Sequence, residues 1–147
     1  MGEWNEQAWY DLFETVDGPV GRDLNNRGLR GVAMQKRLLS QHGSGRVYTQ
    51  TFFIKDGQLR VGGNRPPHQA SAPGEPPATD TGRLRAALSH YVTHDEHGLR
   101  LDVGSGANPA IPGVVYAIYL ELGWVNVETG THAEPRPFIR PSMEALR

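Results

Sequence analysis

His68-Gln69-Ala70-Ser71-Ala72-Pro73-Gly74-Glu75-Pro76-Pro77-Ala78-Thr79-Asp80-Thr81-Gly82-Arg83-Leu84-Arg85 is the stretch on which the reading of this chain turns. Its first half is too rich in proline for regular structure. With Pro66 and Pro67 just before it, Pro73, Pro76 and Pro77 remove backbone donors and push their neighbours toward extended conformations. The second half turns helical: Asp80 or Thr81 is placed to cap a helix whose apolar positions are Leu84, Leu88 and Tyr91, at spacings of four and three. An extended arm over 62–80 therefore runs into a helix start over 81–90. A loop of about a dozen residues inside a compact domain is functional or unstructured, and this one reads as a contact arm presented by the rest of the chain.

The body that presents it follows from composition. The 147 residues suffice for one domain with a real core, and 1–147 reads as a single unit. Hydrophobic residues make up 37%, while 18 glycines and 11 prolines are many, so a small core with extended loops is expected. A net charge of −1 argues against a dedicated nucleic-acid binder, whose affinity would rest on excess Lys and Arg. There is no cysteine, hence no disulfide frame and no thiolate chemistry. No apolar run approaches the ~20 residues of a membrane span. Met1-Gly2-Glu3-Trp4 lacks the basic and apolar regions of a secretory signal, and Glu3 disfavours lipidation of Gly2.

Taken in order, Trp4, Trp9, Leu12, Phe13 and Val16 mark a short helical arm over 1–18, broken at Asp17-Gly18-Pro19. A second helix runs from Pro19 to about Ser40 and stops at Gly43. Its apolar stripe is thin and interrupted by Gly21, Gly28 and Gly31, which suits close packing by one side; Arg22, Arg27, Arg30, Lys36 and Arg37 make the remainder basic. Val47–Ile54 and Leu59–Val61 read as strands around an Asp56-Gly57 turn. Tyr91–His94 and Leu99–Val103 read as a second strand pair. Val114–Leu122 reads as a helix stopped by Gly123, with a strand at Trp124–Val127. Glu134–Pro141 is a second rigid extended piece, and Pro141 opens a last helix over Ser142–Arg147. The expected fold is α+β: one antiparallel sheet of about four strands, one long helix packed across it, shorter helices at the ends and extended Pro-rich loops.

Little in the sequence argues for an enzyme. His90, His94 and His97, with Asp95 and Glu96 between, would form a zinc set on a helix, but Val92-Thr93 and Gly98 suit a strand and turn better. The glycine-bearing stretches Ser44-Gly45, Gly62-Gly63 and Gly104-Ser105-Gly106 lack any phosphate-loop context and read as turns. Ser, His and Asp occur without a nucleophile elbow. Glu121, alone on an apolar helix, reads as one half of a structural ion pair with Arg83 or Arg136. No cofactor is expected.

Three blocks carry a resemblance. They are Gly45-Arg46-Val47-Tyr48; then His68–Pro77 with Asp80-Thr81-Gly82-Arg83-Leu84; and Tyr116-Ala117-Ile118-Tyr119-Leu120-Glu121-Leu122-Gly123 with Arg136-Pro137-Phe138-Ile139-Arg140-Pro141. In that order, over roughly residues 20–145, the chain resembles the gene-product-ten-like neck proteins of tailed bacteriophages, also called head–tail connector, tail-completion or minor tail proteins. Trp124 and Ser142 depart from that pattern, and 104–113 looks like an insertion.

The resemblance implies a structural protein of a long-tailed phage virion. Copies would form a homo-oligomeric, six-fold ring at the neck, assembled in the host cytoplasm, around a lumen through which DNA passes without sequence-specific binding. Its neighbours would be portal, adaptor or stopper proteins, the tail terminator and the tail tube. A tail terminator or head-closure stopper of the same neck is the alternative. The expected inter-subunit contacts are His68, Gln69, Ala70, Ser71, Ala72, Pro73, Gly74, Pro76 and Pro77 in the arm, Arg83 and Arg85 after it, and Arg136, Pro137, Phe138 and Arg140. Stiff Pro-rich arms lose less entropy on ordering than flexible ones, and exposed strands can extend a neighbour's sheet. Two other classes stay open: a metal-dependent enzyme using His90, His94 and His97, and a DNA-binding module using the basic helix 22–37.

Overall fold

The computed structural model describes residues 5–147, with the backbone alone at Phe52 and Ile54. The readings of Gly2 and Trp4 lie outside the described residues. Helix α1 spans Glu6–Phe13; the Asn5 side chain accepts from the Ala8 amide at 3.0 Å and caps it. Helix α2 spans Pro19–Leu39, with proline in its first turn where no donor is needed. Strands β1 (Val47–Lys55) and β2 (Gln58–Gln69) form a hairpin whose turn residues, Asp56 and Gly57, have φ of 53° and 71°. Both central positions of that tight turn need positive φ, which is why Asp-Gly sits there.

Helix α3 (Arg83–Ala87) leads directly into β3 (Leu88–Asp95), which pairs with β4 (Gly98–Ser105) in unbroken register from Leu88–Ser105 to Asp95–Gly98. Helix α4 spans Tyr116–Leu122 and ends at Gly123, whose φ is +74°. Strands β5 (Trp124–Val125) and β6 (His132–Ala133) make a third, minimal pair, and helix α5 spans Ile139–Glu144.

The architecture corrects the expected single sheet. Among the described residues there are three separate two-stranded antiparallel sheets, β1–β2, β3–β4 and β5–β6, and α2 packs across β3–β4. The expected extended arm over 62–80 is corrected too: residues 62–69 belong to β2, prolines included. That placement explains why the sheet stops. Adjacent strand residues send their N–H groups to opposite edges, so Pro66 and Pro67 together strip donors from both edges of β2. No third strand can ladder onto that part of it. The helix expected over 81–90 is only five residues long, because Leu88 onward is drawn into register with β4. Gly82, with φ of +77°, stands at its N-cap in place of Asp80 or Thr81. Pro141 lies inside the first turn of α5 and does not precede it.

The core is small. Leu39, Leu84, Leu88, Ala117 and Phe138 form its buried centre, with Val32, Leu38, Val114, Leu120 and Ile139 packed around it. Helix α2 turns its glycines inward: Gly21, Gly28, Gly31, Gln35 and Leu39 are its buried residues, at helical spacing. A Cβ built at Gly28 would lie 2.4 Å from His90 Cδ2, and one at Gly31 would lie 3.0 Å from Leu146 Cδ1 and 3.2 Å from Val103. The missing side chains let the helix backbone sit against β3 and β4. Next to the core, Gln35 is 0% exposed and neither its amide oxygen nor its amide nitrogen has a hydrogen-bond partner. An unpaired buried amide forfeits its hydration for nothing, so Gln35→Met is expected to raise stability by ~1–2 kcal/mol in urea unfolding. A loss of stability in that variant would show that the amide is paired after all.

Candidate functional site

The residues expected to make contacts fall into three places. The first is the segment joining β2 to α3, residues 70–82. It is tied to its own chain. Ala70 exchanges backbone hydrogen bonds at both ends of the 45–46 peptide, donating to Arg46 O at 3.0 Å and accepting from Gly45 N at 2.8 Å, and the Gln69 amide donates to Gly45 O at 3.2 Å. A Cβ at Gly43 would lie 2.2 Å from Ala70 O, so the two backbones touch directly. Ser71 and Pro77 are buried, Ala72 and Pro76 half-buried, and Pro73 exposed. Gly74 donates to Pro135 O at 3.1 Å, which joins the two Pro-rich pieces of the chain. The Thr79 hydroxyl donates to Leu39 O at the end of α2.

Two carboxylates hold this segment. Glu75 accepts from the Ser44 hydroxyl at 2.5 Å and from the Ser44 and Ala72 amides at 3.0 and 2.8 Å. Asp80 makes a two-pronged pair with the Arg65 guanidinium on β2, one bond of which is 2.9 Å. The Ser44 hydroxyl, and then the two amides, hold the Glu75 carboxyl below its ordinary value of 4.5. The hydrogen bond from Arg65, its charge and that of His68 hold Asp80 below its ordinary 3.8. Both folded pKa values lie below the unfolded ones. Their contribution is therefore complete above about pH 4.5 and is lost as pH falls through the folded values. Hydrogen exchange is expected to show residues 70–82 and the hairpin root losing protection in acid before β3 and β4 do. Glu75→Gln with Asp80→Asn should flatten that pH dependence.

The second place is the β1–β2 hairpin, with His68 near its root opposite Tyr48 and half-buried. Nearly every described side chain from Val47 to Gln69 is exposed or half-exposed, and the two strands pack chiefly on each other. At the tip, Leu59 is 70% and Val61 59% exposed; they stand two apart and share a face, with Ile54 and Phe52 as register partners. An isolated two-stranded hairpin is marginal in water.

The third place is α4 with β5 and β6. Arg136 donates its amide to Leu120 O at 2.7 Å, and Pro137 is half-buried beside it. Phe138, expected at a subunit contact, is 0% exposed in this chain's own core. Arg140 is exposed at the start of α5, and Arg83 and Arg85 are exposed on α3. Glu121 differs from expectation: its partners are backbone amides, those of Phe138, Ile139 and Arg140 at 2.8, 2.9 and 2.9 Å. It caps α5 from another helix, where anionic oxygen is favoured. Its neighbours are exposed. Between Val115 and Val127, eight large apolar side chains are exposed, among them Val115, Ile118, Leu122 and Val125. Tyr116, Tyr119, Leu120, Trp124, Val125 and Asn126 line an open groove of about 420 Å³. The sequence reads α4 as an apolar helix stopped by Gly123 and does not reveal that its apolar side chains are uncovered. The signal was the run Val114–Val127, which is apolar at more positions than one buried face can use.

The candidate chemical groups lie apart. His90 Nε2 is 2.9 Å from Asn25 Oδ1, His94 Nε2 is 2.5 Å from Glu14 Oε2, and His97 sits in the exposed turn beside Glu96. The first two histidines fasten α2 and α1 to β3. Among the described residues no group of three or more His, Asp or Glu side chains is arranged to hold a metal. On α2, Arg27 pairs with Asp23 at 2.7 Å and Arg22 donates to Asp17 O at 2.7 Å. No described helix is long and apolar enough to cross a membrane. No protein-family model matches the chain, and neither does any curated protein or solved structure.

Proposed function

We propose that this chain is a structural subunit whose copies assemble into a ring, and that the ring is the neck between head and tail of a long-tailed phage. The observation that carries the assembly reading is the uncovered apolar surface. Among the described residues more large apolar side chains are exposed than buried, and they concentrate on α1, the hairpin tip and α4–β5. Single exposed apolar residues are ordinary; a contiguous run such as 115–127 marks an interaction surface. A hairpin standing off a small core is likewise ill-suited to life alone.

The neck assignment rests on the three sequence blocks. The structure gives them a common role in one chain: Gly45-Arg46 and Ala70 form the hairpin root, Asp80 braces that root, and Glu121 ties α4 to Phe138-Ile139-Arg140. Under this reading the blocks frame the two projecting surfaces and hold them in fixed relation. A near-neutral chain also suits a conduit that passes DNA without retaining it.

Particles purified from cells producing the chain supply the test. Cryo-EM reconstruction of the neck is expected to show a closed ring of this chain between portal and tail tube. Its presence in the capsid lattice, or only among soluble proteins of the cell, would overturn the reading.

A further inference from the structure

Deepening the ring reading, on which its second half rests, we infer that the outward face of α2 is a contact for the phosphate backbone of duplex nucleic acid, and that this face turns toward the DNA in the channel. The net charge of −1 hides an uneven distribution. Residues 22–37 carry Arg22, Arg27, Arg30, Lys36 and Arg37 against one acid, Asp23. Arg27 takes that acid at 2.7 Å, and among the described residues this is the one ion pair that an α2 cation makes. Arg22, Arg30, Lys36 and Arg37 are left without an acid.

The fold puts these four on one side of the helix. Gly28, Gly31, Gln35 and Leu39 are buried against the body. At about 100° per residue, Arg22, Arg30 and Arg37 fall within about 80° of one another on the opposite side, and Lys36 lies about 40° beyond Arg22. Arg22, Arg30 and Arg37 are exposed and Lys36 is half-buried. Lys36 carries the cationic face onto α3. With Thr79, Gly82, Arg85 and Ala86 it lines a recess of about 310 Å³ that has no Asp or Glu in its wall.

The partner follows from charge and shape. From Arg22 to Arg37 the helix axis rises about 22 Å, a length along which a duplex presents about a dozen phosphates. The centre of a protein–protein interface is instead poor in charge and rich in apolar side chains. On α2 the one exposed large apolar residue is Leu29, whereas α4–β5 and the hairpin tip hold many. The apolar surfaces therefore suit contacts between copies, and the α2 face suits a polyanion. Contacts to phosphate position a duplex without reading its sequence. Four per chain are few, so binding is weak at physiological salt and the duplex stays free to pass.

Fluorescence anisotropy of labelled 20-base-pair DNA duplexes of two unrelated sequences, titrated with the full chain, supplies the test. Both duplexes should bind equally at 50 mM salt, and affinity should fall about a hundredfold by 200 mM, as expected for about four phosphate contacts. Arg30 and Arg37 are exposed, so Arg30→Gln with Arg37→Gln leaves the core untouched. That variant should bind at least tenfold more weakly at 50 mM, and its loss between the two salts should shrink to about tenfold. Lys55→Gln with Arg60→Gln removes the same charge from the exposed hairpin and should change affinity less than twofold. No binding at 50 mM salt would overturn the inference, as would an equal loss in the hairpin variant. Displacement of the duplex by polyglutamate at equal charge concentration would overturn it in favour of an acidic protein partner. The neck reading fails separately: DNA binding through α2 by a chain absent from particles keeps the contact and removes the neck. A neck ring in which α2 lies away from the DNA overturns the channel placement and leaves the neck standing.

Discussion

Phe138→Ala is expected to cost ~3–5 kcal/mol and to leave the chain largely unfolded at physiological temperature. Among the described residues Phe138 is the largest fully buried side chain, and it belongs to a core cluster whose other buried apolar members are Leu39, Leu84, Leu88 and Ala117. Few neighbours are available to collapse into the space it would leave. Total stabilities of small domains are only ~5–15 kcal/mol, so the loss is a large share. Position is also enforced by the backbone: the Phe138 amide donates to Glu121 at 2.8 Å, which pins the ring between α4 and α5. Urea unfolding followed by fluorescence and circular dichroism reads the effect. A change below ~1 kcal/mol would mean that the site collapses onto a smaller side chain, contrary to the packing argued here.

Gly28→Ala should destabilise by about 1–2 kcal/mol, although alanine is the better helix former by ~1 kcal/mol. The sign is decided at the helix–strand contact. All three of the nearest atoms to a Cβ at Gly28 belong to His90, at 2.4, 2.7 and 2.9 Å, and the last is His90 Cβ, which β3 holds in place. The ring cannot swing away without breaking its 2.9 Å contact with Asn25. A double-mutant cycle isolates this cause. In a His90→Ala background the same glycine substitution should lose most of its cost, a coupling of ~1–2 kcal/mol, whereas a purely helical effect would be unchanged by His90.

The same residues show which parts of the molecule could be read without coordinates. Where a single local interaction decides, the reading held. Gly18-Pro19 starts α2, Asp56-Gly57 turns the first hairpin, and Gly123 with φ of +74° ends α4. The strand pair 91–94 with 99–103 was visible from alternation, though β3 begins three residues earlier. The small residues of α2 pointed to one closely packed side, and Gly21, Gly28 and Gly31 occupy it. Of the expected contact residues, the sequence could rank them by resemblance but could not tell which were already used within the chain: Phe138, Ser71 and Pro77 are buried, and the Ala70 and Gly74 amides donate to Arg46 O and Pro135 O.

What the amino-acid sequence determined by itself is therefore short-range: where helices and hairpins start and stop, because caps, turn dihedrals and proline act within a few residues. Tertiary structure alone decided that Leu88 joins a strand, that the two larger hairpins stay apart, that Glu121 caps a helix 17 residues away, and which apolar faces remain uncovered. Each of these is a competition between partners distant in sequence. Its outcome depends on how much surface the small core can bury, a quantity that local periodicity does not contain.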